Sequence, residues 1–246
     1  MQEDRKAVFG WALYDWANSA FATTVMASFF PIFFKEYWAA GTDPVVSTAK
    51  LGLANSAAGI LVALMAPALG AIADRGEAKK RFLLGFAALG IAATSSLYLV
   101  PRGHWQAAAA CYVFAMVGFA GSIVFYDSLL TTVAAEARRD FVSSLGFSLG
   151  YLGGGLLFAL NVWMTLSPAA FGLPDSGGAV KLSFLSVGLW WALFSLPLVL
   201  LVRERPADRP GGRGSAVREG LAQLLGTFRQ IRRLRTIFLF LAAYWL

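Results

Sequence analysis

Residues Phe82 to Val100 read FLLGFAALGIAATSSLYLV, an uninterrupted run without a charged side chain. Lys79, Lys80 and Arg81 stand directly before it, and Pro101-Arg102-Gly103 directly after it. A helix needs roughly 20 mostly apolar residues to cross a hydrocarbon core about 30 Å thick, a length that buried helices of soluble proteins seldom reach. Working outward from this run, the same alternation of long apolar stretches and short charged clusters predicts spanning helices at about 8–34, 51–73, 82–100, 106–133, 143–166 and 180–202. Pro31, the stretch Gly41-Thr42-Asp43-Pro44 and Pro101-Arg102-Gly103 are breaker signals at membrane exits. Trp38, Trp105 and Trp163 lie near predicted ends, as indoles prefer the headgroup region.

The chain is 58% hydrophobic and 14% charged, with a net charge of +7. In a soluble protein such a basic balance would suggest nucleic acid, because clustered Lys and Arg neutralise phosphates. Here the cations flank apolar runs, and no basic surface interleaved with aromatic residues is left to stack bases, so a nucleic-acid partner is excluded. The partners expected instead are the lipid bilayer and a small-molecule solute. A single cysteine, Cys111, excludes an intrachain disulfide and a cysteine-based metal cluster. No cofactor and no metal site are expected. The first apolar run carries Asp15 and Asn18 and lacks a signal-peptide cleavage pattern, so it reads as a retained first helix.

Orientation follows from the cations, since Lys and Arg are held on the cytoplasmic side. Arg5 and Lys6, the second connection, Arg138 and Arg139, and the stretch after the sixth helix carry all of the 21 except Lys35, Lys50, Arg102 and Lys181. The N-terminus is therefore expected in the cytoplasm. From Arg203 to Gly214 the composition turns to Arg, Pro, Asp and Gly, a linker. Val217, Leu221, Leu224, Leu225, Phe228 and Ile231 then recur at helical spacing with arginines on other faces, which suits a helix on the membrane surface or one packed on the cytoplasmic ends of the bundle. Residues 236–246 are apolar but would rise only about 16 Å as a helix, so they read as the start of a seventh span. The expectation is an all-α membrane protein: a six-helix bundle over 1–202, a cytoplasmic linker with an amphipathic helix over 203–235, and an incomplete helix over 236–246.

Within the spans, Asp15 is the most informative residue. An ionisable side chain at membrane depth is costly and tends to face a bundle interior or a watery cavity. Asn18, Ser19 and Ala22 follow it at helical spacing, giving a polar, small-residue stripe. The structural alternative is that Asp15 reaches the interface and pairs with a cation there. Tyr14, Asp15, Asn18 and Ser19 form the candidate solute-binding set.

The second connection reads Gly70-Ala-Ile-Ala-Asp74-Arg75-Gly76, then Lys79, Lys80 and Arg81. The glycines allow close helix approach, and the cations can pair with Asp74 or a helix end, contacts that can lock one conformation and break in another. Asp127, expected in the cytoplasmic half of the fourth helix, is within the influence of this basic cluster and suits an ion pair. Gly70, Asp74, Arg75, Gly76, Lys79, Lys80, Arg81 and Asp127 are the candidate gating residues. Gly146-Phe-Ser148-Leu-Gly150 matches the G-x-S-x-G pattern of a nucleophile elbow, but that motif needs a strand-turn-helix context and a histidine partner. Ser148 falls in a predicted span and the one histidine, His104, in a distant connection, so a serine hydrolase is rejected and the chain is not read as an enzyme. The glycines at 146, 150, 153, 154 and 155 read as close-packing positions, with a sliding surface as the functional alternative.

The second connection resembles the signature loop between helices two and three of the major facilitator superfamily, although Gly76 follows Arg75 directly and Glu77-Ala78 intervenes before the cations. A narrower resemblance, to the vacuole-effluxer branch of that superfamily, is carried by Tyr14-Asp15-Trp16-Ala17-Asn18-Ser19-Ala20-Phe21, Phe125-Tyr126-Asp127-Ser128-Leu129-Leu130, Gly150-Tyr151-Leu152-Gly153-Gly154-Gly155 and Leu189-Trp190-Trp191. The resemblance implies a twelve-helix secondary transporter in a bacterial cytoplasmic membrane. This chain would supply its N-terminal half, a C-terminal half its partner. It implies a gating role for Asp74 and Arg75, alternating access, and export of small organic solutes with amino acids as the leading class. The fourth helix lacks the arginine that many proton-coupled members carry. The alternative is a truncated, non-transporting scaffold or assembly partner.

Overall fold

A computed structural model describes residues 4–74 and 78–204. Six helices in it are long and apolar enough to cross a membrane. They are α1 (Arg5–Trp38), α2 (Pro44–Asp74), α3 (Lys79–Ser96, extended by a 3-10 turn Leu97–Leu99), α4 (Trp105–Val133), α5 (Arg139–Leu166) and α6 (Ser176–Leu201). The predicted membrane helices are therefore present in order. Arg75, Gly76, the linker, the amphipathic helix and the seventh helix fall outside the described residues.

The starts of α1, α2 and α6 come several residues before the apolar runs. Hydropathy finds the part of a helix that sits in lipid, whereas the first turn is set by capping, which polar residues supply. Asp4 accepts from the Lys6 amide at 3.0 Å, Asp43 from the Val45 amide at 2.8 Å and Asp175 from the Gly178 amide at 2.7 Å. Pro44 then begins α2, where its missing N–H is of no consequence.

Helix α1 is central. It lies along α5 and α6 and touches α4, while α3 packs on α4 and α6 and α2 packs mainly on α4. Lipid tails are as apolar as leucine, so association rests on close packing and polar contacts rather than on exclusion from water. The α3–α4 crossing shows this: a Cβ on Gly118 would stand 2.6 Å from the Gly90 Cα. Aromatic rings fill the interior, with Phe30 stacked on Tyr112 at 4.0 Å and Trp38 on Phe184 at 5.7 Å.

Helix α1 is also irregular. After Ala20 its bonding shifts to the wider π pattern over Phe21–Phe29, returns to α over Phe30–Phe33, and is π again over Phe34–Trp38. Pro31 cannot donate a backbone hydrogen bond, which disfavours a regular ladder in this half. Such π turns concentrate where a helix carries function.

Outward-facing side chains are apolar over whole faces. Leu53 and Leu64 of α2 and Phe147, Tyr151 and Leu152 of α5 are each more than 60% exposed. Such faces suit lipid or another membrane segment.

Candidate functional site

Asp15 sits one turn before the π segment, half-buried, on the face of α1 that meets α5. Ser19, one turn further on, donates its hydroxyl to Asp15 Oδ1 at 3.4 Å. The approach is possible because of Gly150: a Cβ there would lie 2.6 Å from Ser19 Oγ and 3.2 Å from Asp15 Oδ2. Gly146 one turn earlier faces Trp11 and the Tyr126 hydroxyl, each 2.8 Å from its would-be Cβ. Gly153 accepts the Trp16 ring and backbone, and Gly154 sits over the Ser19 carbonyl and the Thr23 hydroxyl. Thr23 in turn donates to the Gly154 carbonyl at 3.3 Å and to the Ser19 carbonyl at 3.0 Å. The glycine stripe of α5 is thus the bed in which the polar stripe of α1 lies.

The four candidate binding residues divide between two faces. Asp15 and Ser19 face α5. Tyr14 and Asn18 point into the bundle, fully buried, where Ser122 of α4 and Trp191 of α6 surround the Tyr14 hydroxyl. Among the described residues Tyr14 Oη, Asn18 Nδ2 and Trp191 Nε1 make no hydrogen bond of good geometry, although Ser122, Trp191 and Asn18 are close enough to the Tyr14 hydroxyl to influence it. On a helix positions four apart share a direction, so Tyr14 pairs with Asn18 and Asp15 with Ser19, while neighbouring positions such as 14 and 15 stand about 100° apart and the two pairs meet different helices.

Tyr126 joins the two sets. Its ring stacks on Trp11 at 4.3 Å and tilts against Tyr14 at 5.4 Å, and its backbone carbonyl accepts from Trp11 Nε1 at 2.9 Å. Its buried hydroxyl has no hydrogen-bond partner among the described residues and lies within the electrostatic reach of Asp15 and Asp127. On the other side of Asp15, Trp16 stacks on Trp190 at 5.8 Å, and Trp190 Nε1 donates to the Trp16 carbonyl at 3.2 Å. Asp15 therefore has stacked aromatic pairs before and after it along α1. Trp11 and Ser122 carry no signal in the sequence analysis, and Tyr126 and Trp191 enter it only within the motifs of the family resemblance, without a role of their own. The available signal was a hydroxyl-bearing ring beside Asp127 inside a charge-poor span.

At the other candidate cluster the cations are tied to their own bundle. Lys79 Nζ donates to the Ser128 carbonyl at 3.0 Å, the residue after Asp127. Lys80 Nζ donates to the carbonyls of Val199 and Val202, the latter at 2.8 Å, and the Lys80 amide donates to the Glu204 carboxylate. A cation at these carbonyls satisfies groups that the last turn of a helix leaves open and complements the negative end of its dipole. Arg81 and Asp127 are exposed on the bundle surface. Gly70 has open space where a Cβ would be, so no neighbour within the described residues requires a glycine there. Asp74 is the last residue of α2.

The G-x-S-x-G stretch lies inside α5, where Ser148 Oγ donates to the Ser144 carbonyl at 2.8 Å as helix serines do. Among the described residues no group of three or more His, Cys, Asp or Glu is placed to hold a metal ion.

Comparison with known proteins places this architecture. The family described as "Vacuole effluxer Atg22 like" matches residues 45–246. The chain belongs to that family. It is also similar to the uncharacterized MFS-type transporter YxiO of Bacillus subtilis, at 36% identity over 100% of this chain and 57% of the relative. Autophagy-related protein 22 of Eremothecium gossypii is 23% identical over 80% of this chain and 46% of its own length. The protein of the same name from Coccidioides immitis is 23% identical over 98% of this chain and 57% of its own. The chain spans about half the length of the curated relatives it matches. No solved structure is a significant match. The resemblance read from Tyr14 to Phe21 and from the α4, α5 and α6 motifs is thus a family relationship within the major facilitator superfamily.

Proposed function

We propose that the chain is the N-terminal half of a secondary transporter that exports small organic solutes, amino acids foremost, by alternating access. A second helical bundle would form the other wall of the route, meeting the exposed faces of α2 and α5. The observation that carries the reading is Asp15, a half-buried carboxylate in a spanning helix, set against Ser19 and Gly150 and followed by the π segment of α1. Maintaining such a group at membrane depth is unfavourable unless it is used or paired, and its one hydrogen bond among the described residues is the long contact to Ser19. In this reading Asp15 and Ser19 hold a solute's ammonium group and Tyr126 offers a hydroxyl, while Tyr14 and Asn18 brace α1 against α4 and α6.

Asp74, Arg75 and Arg81 are the gating residues on the cytoplasmic side. The Lys79 and Lys80 bonds hold the start of α3 to α4 and α6. The N-terminus lies in the cytoplasm, following the cation distribution.

Amino-acid flux in vesicles holding the full-length protein tests the assignment. Asp15→Asn should reduce flux roughly ten- to a hundredfold, the worth of a charge-assisted contact at about 1.5–3 kcal/mol. Unchanged flux would remove Asp15 from the mechanism.

A further inference from the structure

A cavity of about 390 Å³ lies at the end of the bundle where α3 finishes and α6 begins, far from Asp15 along the helices. Tyr98, Leu99, Leu173, Gly178, Lys181 and Leu182 line it. Its volume falls within the usual range of small-molecule sites. The walls are mostly apolar, and Lys181 is the one charged residue among them. Lys181 Nζ stands 5.9 Å from the Tyr37 ring centre and 5.6 Å from that of Tyr98, so two aromatic faces fix the ammonium at the cavity. The N-terminus of α6 is not the receptor, because Asp175 already accepts from the Gly178 amide at 2.7 Å.

We propose that this cavity binds the headgroup of an anionic phospholipid, with its phosphate on Lys181 and an acyl chain running down α6. Three features select a lipid over a solute from water. The cavity sits at a membrane boundary, between the last turn of one span and the first turns of another, beside the ring partners Tyr37 and Tyr98 that favour the headgroup level. Its rim residue Leu99 is 75% exposed, an apolar side chain that suits hydrocarbon rather than water. Leu182 also continues into an exposed stripe, since Leu189, Leu193, Leu196 and Leu200 follow at helical spacing on one face of α6. From Leu182 to Leu193 such a face descends about 16 Å, close to the depth of one leaflet's acyl layer. A free anion would use the lysine but leave this stripe without a role.

Native mass spectrometry of the full-length protein, released from nanodiscs of phosphatidylcholine with or without phosphatidylglycerol, tests the proposal. The wild type should retain phosphatidylglycerol in preference to phosphatidylcholine and unfold at a higher temperature when it is present. Lys181→Gln should lower that retention about fivefold, the effect of one cation facing an anionic lipid. Lys181→Arg should restore it. Lys50→Gln should leave it unchanged, because Lys50 lies over the Trp105 ring at 4.5 Å and not in the cavity. Equal retention by Lys181→Gln, an equal loss in Lys50→Gln, or displacement of the lipid by inorganic phosphate would each overturn the assignment. So would wild-type unfolding temperatures that do not respond to phosphatidylglycerol, a readout that needs no variant to fold.

Discussion

Two adjacent glycines of α5 test the seam with α1 against each other. At Gly154 a Cβ would stand 2.9 Å from the Ser19 carbonyl oxygen and 3.0 Å from its carbon, both backbone atoms that cannot swing aside. At Gly155 nothing lies within 4 Å. Alanine improves helix propensity by roughly 1 kcal/mol at either position. Overpacking a tight contact costs about 1–3 kcal/mol. Gly155→Ala should therefore be neutral to stabilising, and Gly154→Ala neutral to destabilising by up to ~2 kcal/mol. The pair should differ by about 1–3 kcal/mol, or roughly 2–12 °C in unfolding midpoint for a protein of this size. Thermal unfolding of the two variants in the same nanodiscs measures that difference directly. Equal midpoints would mean that α5 does not rest on α1 through this glycine. The placement of Asp15 and Ser19 at a closed seam would then be wrong.

Two further perturbations read the site and the cytoplasmic clamp separately. Tyr126→Phe keeps the stack on Trp11 and deletes a buried hydroxyl without a partner among the described residues, so stability should hold or rise by up to about 1 kcal/mol while amino-acid flux falls; a clear loss of stability would show that the hydroxyl is bonded. Lys80→Met removes the ammonium from the Val199 and Val202 carbonyls and should speed hydrogen exchange in the last turn of α6 by about tenfold, for roughly 1.4 kcal/mol of lost capping. Exchange there at the wild-type rate would place Lys80 elsewhere.

What was legible from sequence divides along physical lines. Charge-free runs such as Phe82 to Val100 reveal the helices because the bilayer imposes a length, and this constraint acts on composition alone. The π geometry after Ala20 was not legible. It depends on which carbonyl each amide finds, and Phe21 to Phe29 reads as an ordinary apolar helix in composition. Asp15 was visible because a carboxylate in a span is conspicuous, but its neighbours were only half so. The α5 glycines were recognised as a close-packing stripe, yet their partner on α1 became definite only from coordinates. The helical spacing of three groups Asn18 with Asp15, whereas in the fold Asn18 lies with Tyr14 toward α4 and α6. Trp191 came from a helix more than 170 residues away and carried no local sign of its polar role.

The cation cluster of the second connection holds residues of two physical kinds, and the difference bears on how a gate could work. A residue that switches must exchange partners at modest expense. Lys80 is poorly suited to that, because its ammonium satisfies two end carbonyls of α6 while its amide is taken by Glu204, and releasing it would leave several groups open together. Lys79 likewise reaches across to the Ser128 carbonyl of α4. Both bonds link α3 to neighbours it already packs against, α4 and α6. They therefore join three helices into one body. Arg81 is exposed on the same turn of α3. In the proposed alternating-access cycle a contact that forms and breaks must run between bodies. The exposed cation can make such a contact, and the anchored pair determines where it is presented. Neutralising Arg81 should then change transport at constant stability, whereas neutralising Lys80 should lower stability first and transport only as a consequence.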